Sequence, residues 1–103
     1  MVMTQKSLTT QLQEQADYTK PGTTRKSLVK DEQVQFSLVC LTAGTEIPEH
    51  VASRNVSVTV IEGRGVLTLE GREITLQPGV FVYMPANTPH ALRALENLAF
   101  LHT

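Results

Sequence analysis

Tryptophan is absent from this chain, cysteine occurs once, and aromatic residues make up only 5% of it. The lone thiol, Cys40, excludes an internal disulfide and fits a reducing compartment. No apolar run nears the roughly 20 residues that a membrane-spanning helix needs. The opening stretch, MVMTQKSLTTQLQEQ, lacks the apolar h-region of a secretory signal. These features predict a cytoplasmic protein with no membrane partner. Excess positive charge is missing too, with nine Lys and Arg against ten Asp and Glu and a net charge of −1. The basic residues are scattered apart from Arg25-Lys26, so no basic stripe marks a nucleic-acid partner. Three catalytic or nucleotide-binding signatures are also lacking: G-x-x-x-x-G-K-[ST], G-x-S-x-G and C-x-x-C.

What remains is enough for one domain with one core: 103 residues, 41% of them apolar. Residues 1–23 read as a polar arm, rich in Gln and Thr. Ser7 is a candidate cap for a short helix with Leu8, Leu12 and Ala16 on one side. A partly ordered arm is the other reading, because so few apolar residues recur. Lys20-Pro21-Gly22 breaks the chain before a second region, 24–103.

From Thr24 onward the pattern is β. In VQFSLVCL, Val34, Phe36, Leu38 and Cys40 share one face. In VSVTVI, Val56, Val58 and Val60 face one way while Ser57 and Thr59 face the other. Strands are further expected at 66–70, 73–76, 80–84, 90–95 and 98–102. Gly63, Gly71, Pro78-Gly79 and Pro85–Pro89 punctuate them. Short strands with a turn signal every 8–12 residues predict an all-β sandwich or barrel. No helical period lies between them, which argues against a parallel βαβ sheet.

These residues resemble the cupin family. Its first motif runs Gly, five residues, His-x-His, three or four residues, Glu, six residues, Gly. Gly44-Thr-Glu-Ile-Pro-Glu-His50 matches its first half, and Gly63 sits at its far end. The second motif runs Gly, five residues, Pro-x-Gly, two residues, His, three residues, Asn. Gly79-Val-Phe-Val-Tyr-Met-Pro85-Ala-Asn87-Thr-Pro-His90 matches it, with Asn87 in the third glycine's place. Asn, like Gly, tolerates a left-handed backbone. The resemblance spans about residues 34–95. It implies a double-stranded β-helix, the jelly-roll cupin barrel, with histidines in its pocket.

The departures bear on function. Ala52 stands at the second histidine's place, Val56 or Ser57 near the glutamate's, and Ala94 at the final Asn's. Of the four residues with which cupins commonly bind metal, His50 and His90 carry over. His102 shares a strand face with Phe100 and is a candidate third ligand, or else a frayed terminal residue. The cofactor these residues suggest is one divalent ion, Fe, Mn, Ni or Zn. Tyr83 and Arg54 are candidate ligand-binding residues. Cys40 would add a soft ligand if its face lined the pocket, and otherwise is a small buried hydrophobe. Glu49, adjacent to His50 on a strand, is expected on the surface.

The valine face implies a more apolar pocket than a complete metal site would have. The expected function is therefore binding of a small organic molecule between His50 and His90, with an incomplete metal site. The alternative is a metal-dependent enzyme of dioxygenase or isomerase type with a variant ligand set. A homodimer is the expected assembly, with Thr24–Lys30 adding a strand to a partner's sheet.

Overall fold

The computed structural model describes residues 7–103, so the first six residues of the expected arm lie outside the described part. Nine strands and one helical turn follow in order: α1 (Leu12–Gln15), β1 (Thr23–Lys30), β2 (Gln35–Leu41), β3 (Glu46–His50), β4 (Val56–Glu62), β5 (Gly65–Leu69), β6 (Arg72–Leu76), β7 (Phe81–Met84), β8 (His90–Ala94) and β9 (Leu98–His102). They form two antiparallel sheets, β1-β2-β9-β4-β7 and β3-β8-β5-β6. Most of the strands expected from alternation appear within a residue or two. Thr24–Lys30 does form a strand, but it pairs with β2 of its own chain. The other side of β1 is a sheet edge.

The two sheets face each other across one apolar interior. Val39, Leu41, Val56, Val58, Val60, Leu67, Leu69, Leu76, Val82, Met84, Leu92, Leu98 and Phe100 fill it. The period-two pattern of β4 lands as expected, with its three valines inward. β2 differs, because Ser37 through Leu41 are buried without alternation. Val39 and Leu41 face the interior, whereas Leu38 and Cys40 lie on the outer face of the sheet with Ala99. Ala16, Tyr18, Leu28 and Ile61 cover that outer cluster.

The arm is therefore a cover rather than an amphipathic helix. Among the described residues only one helical turn forms, and Gln11 rather than Ser7 precedes it, without a side-chain cap. Leu8 stays exposed, while Ala16 packs. A single turn has too few hydrogen bonds to hold itself, so docking onto the sheet sets its course. Tyr18 Oη donates to Glu62 Oε2 at 2.7 Å. Burial and that carboxylate push the Tyr18 phenol well above its ordinary value.

Two turns require unusual backbone. Leu69 pairs with Arg72 across a two-residue loop, and both Glu70 (φ 51°) and Gly71 (φ 80°) are left-handed. Left-handed dihedrals at both central positions define the type I′ hairpin. Gly63 has φ 87°, and a Cβ there would lie 1.9 Å from the Asn97 backbone oxygen. A Cβ at Gly71 would meet nothing within 4 Å.

The contrast separates backbone strain from collision. Gly71→Ala is expected to cost about 1–2 kcal/mol, the left-handed penalty alone. Gly63→Ala adds a clash and should cost roughly 3 kcal/mol or more. Urea unfolding of the two variants checks this; equal losses would mean that the Asn97 carbonyl yields freely.

Candidate functional site

One irregularity builds the site. β3 is an edge strand opposite β8, and Ile47 faces Leu92 while His50 faces His90. Three steps along β3 thus match two along β8, so β3 carries one extra residue. In a regular strand, Ile47 and His50 would point to opposite faces. The bulge turns both into the barrel, where they line the same cavity. Pro48 sits within the irregular stretch, where a missing N–H is tolerated.

The cavity holds about 80 Å³. Val39, Ile47, Val58, Leu67, Met84, Leu92 and Phe100 give it apolar walls, and Arg25, His50, His90 and His102 add polar groups. The His50 and His90 rings lie 4.2 Å apart, centroid to centroid, tilted by 57°. His90 is 8% exposed, whereas His50 stands open at the mouth. His50 Nδ1 donates to the Pro48 carbonyl at 3.0 Å, and His90 Nδ1 to the Thr88 carbonyl at 2.9 Å. A carbonyl only accepts, so in these bonds each Nδ1 carries the proton. In that tautomer the lone pair of a neutral imidazole sits on Nε2. A backbone carbonyl fixing the tautomer in this way is usual for metal-binding imidazoles.

His102 joins the same cavity. It does not fray: Thr103 N donates to Ser57 O at 3.1 Å, and Ser57 N to Thr103 O at 3.0 Å. Its Nδ1 meets Arg25 Nη1 at 3.5 Å, a long contact. A guanidinium only donates, so His102 presents an unprotonated Nδ1 to it. Burial, and then the charges of Arg25 and Arg54, push His102 down to about 4, with smaller contributions from His90 and His50. Beside it in register, Ser37 Oγ is fully buried without a partner among the described residues.

Other expected site residues lie elsewhere. Tyr83 points away from the cavity because its strand neighbours Val82 and Met84 point inward. It lines a separate groove of about 320 Å³ with Arg54, Phe81 and Val34. Arg54 thus belongs to that groove, although its charge is felt at His102. Cys40 lies outside the barrel beneath the arm, so it is no pocket ligand. Glu49 is exposed. Of the three β4 valines, Val58 alone borders the cavity. Arg25 was not legible as a site residue, because β1 is a polar edge strand with no apolar alternation to show its inward face.

The loops at the mouth are tied together. Asn87 N donates to Ala52 O at 2.7 Å, and Ala86 N to Asn55 Oδ1 at 2.9 Å. Asn87 has φ 65°, the left-handed backbone expected at that motif position.

The Cupin_2 model, a cupin domain, matches residues 37–102, which hold both histidine motifs and strands β2 to β9 except for the first residues of β2. This chain belongs to the cupin family. The cupin is 35% identical over 73 residues to uncharacterized protein MJ0764 of Methanocaldococcus jannaschii, covering 70% of this chain and 63% of that protein. An uncharacterized protein of Aquifex aeolicus is 32% identical over 57 residues, covering 55% of this chain and 47% of the relative. The chain therefore spans roughly half to under two thirds of the length of these curated relatives. Among solved structures, the conserved SPY1581 protein of unknown function from Streptococcus pyogenes has a TM-score of 0.82 at 23% identity, covering 96% of this chain and 87% of that one. That likeness concerns the fold. The RmlC-like cupin MJ0764, with a double-stranded β-helix fold, has a TM-score of 0.71 at 26% identity, covering 84% and 82%.

In this cupin His50 and His90 by themselves fall short of a resident metal site. Among the described residues, no group of three or more His, Cys, Asp or Glu is placed to hold one. Ala52, at the second histidine's place, packs against the core, and Ala94 is buried in it. His50 and His90 supply two imidazoles, whereas a stable site needs three or four protein ligands.

His102 makes the fold sensitive to acid. Its folded value of about 4 lies below the ordinary 6.5. Between those values the unfolded chain binds a proton that the folded chain refuses, so stability rises with pH. The contribution is complete above about pH 6.5 and is lost as pH falls toward about 4. Solvent screening at this half-buried ring limits it to about 1 kcal/mol. Urea unfolding at about pH 7 and about pH 4.5 should show that loss, with His102→Asn reducing it. An unchanged pH dependence in the variant would contradict this assignment.

Proposed function

We propose that this cupin binds a small organic molecule in the cavity between His50 and His90, without a resident metal ion. The observation that carries this reading is the His50–His90 pair, with both Nδ1 atoms bound to backbone carbonyls above apolar walls. Two Nε2 lone pairs facing one small space accept hydrogen bonds from a ligand hydroxyl. The apolar walls take the rest of the ligand.

Metal analysis tests the proposal. Protein grown with iron, manganese, nickel and zinc should purify with well under one equivalent of metal, and a chelator should leave its Tm unchanged. One equivalent of a first-row ion, lost in His50→Ala, would overturn the reading.

The second reading, a metal-dependent enzyme of dioxygenase or isomerase type, draws support from the same tautomers, which suit metal binding. It requires a further donor, for which His102 is the nearest in chemistry. The proposal includes a homodimer in a reducing, cytoplasmic setting. The open edge of β1 and the exposed Phe81 and Tyr83 on edge strand β7 favour pairing of two copies. A monomer at every concentration in size-exclusion chromatography would exclude it. Among the described residues no helix is long and apolar enough to cross a membrane.

A further inference from the structure

We infer that the ligand is a short-chain monocarboxylate, with its carboxylate held by Arg25 at the mouth and its apolar tail directed into the barrel. This rests on the barrel-cavity reading above and adds the chemical class of ligand.

Arg25 reaches the site from β1, the edge strand of the opposite sheet. Its side chain is exposed at the mouth, while Val39, Leu67 and Phe100 behind it are buried. The described cavity lining contains one guanidinium, three imidazoles, and no Asp or Glu. Arg25 is thus a fixed positive charge with no anion in the wall beside it. Its contact with His102, at 3.5 Å, weakly engages one of five donors. The planar fork that remains suits two parallel bonds to a carboxylate.

Size and wall chemistry narrow the class. At roughly 10–15 Å³ for each water-sized unit, a cavity of about 80 Å³ takes about five to eight non-hydrogen atoms. Butyrate and valerate fall in that range. A bare inorganic anion would leave the apolar walls without a partner, whereas an alkyl tail covers them. The His50 and His90 Nε2 atoms lie on the opposite sheet from Arg25, so a hydroxyl along the chain of such an acid has acceptors waiting.

The test is an NMR titration of the full-length protein, reading the methyl signals of Val58 and Leu67. The probes are acetate, butyrate and valerate, with butyramide and valeramide as neutral isosteres. Butyrate and valerate are expected to bind about tenfold or more tightly than their amides, and affinity should rise from acetate to valerate. Arg25→Gln should remove that preference while amide affinity stays the same, and Arg25→Lys should restore part of it. The exposed position of Arg25 keeps both variants foldable, which their backbone spectra check. If amides bind as tightly as acids, or Arg25→Gln leaves butyrate affinity unchanged, the carboxylate inference falls while the cavity reading stands. If neither acids nor amides move the cavity methyls, both fall.

Discussion

The extra residue in β3 decides where His50 points. A regular edge strand running through Ile47 would place that imidazole outside the barrel, leaving His90 and His102 within it. The bulge reverses the side-chain alternation over one step and brings the ring to 4.2 Å from its neighbour. The placement is reinforced locally, since the Pro48 carbonyl inside the same irregular stretch accepts from His50 Nδ1. Ring orientation and proton position thus follow from a feature of the backbone, not from a neighbouring acid.

Two kinds of imidazole then share one small space. His50 and His90 give their Nδ1 protons to carbonyls, whereas His102 turns an unprotonated Nδ1 toward Arg25. Full metal sites in this fold recruit ligands from positions that here hold Ala52 and a valine or serine. Those replacements leave the interior with fixed positive charge at one end, lone pairs at the other, and hydrocarbon between. Such a distribution suits recognition of an amphipathic molecule better than the caging of an ion.

Much of the barrel was legible because Gly and Pro mark its turns and VSVTV alternates without exception. For His102 the sequence left two readings open, an inward face from its parity with Phe100 or a frayed terminus. Other features were hidden for identifiable reasons. EIPEH contains a proline and no alternation, so its bulge leaves no trace in residue types. FVYM is apolar on both faces, and only pairing with β4 decides that Tyr83 points outward. QFSLVCL is equally two-sided, because the arm buries its outer face as the barrel buries its inner one. TTRKSLVK begins with no apolar period, and the inward turn of Arg25 depends on register with β2.

β1 carries Arg25, and it is hydrogen-bonded along one side alone. A strand secured in this way opens at lower free energy than one held between two neighbours. The guanidinium at the mouth therefore rides on one of the more easily detached parts of the barrel. Whatever grips it also fastens that border of the sheet, so occupancy of the interior and the slow breathing of the outermost ribbon become coupled. Amide exchange along Thr23–Lys30 would report such coupling without reference to any chemical step.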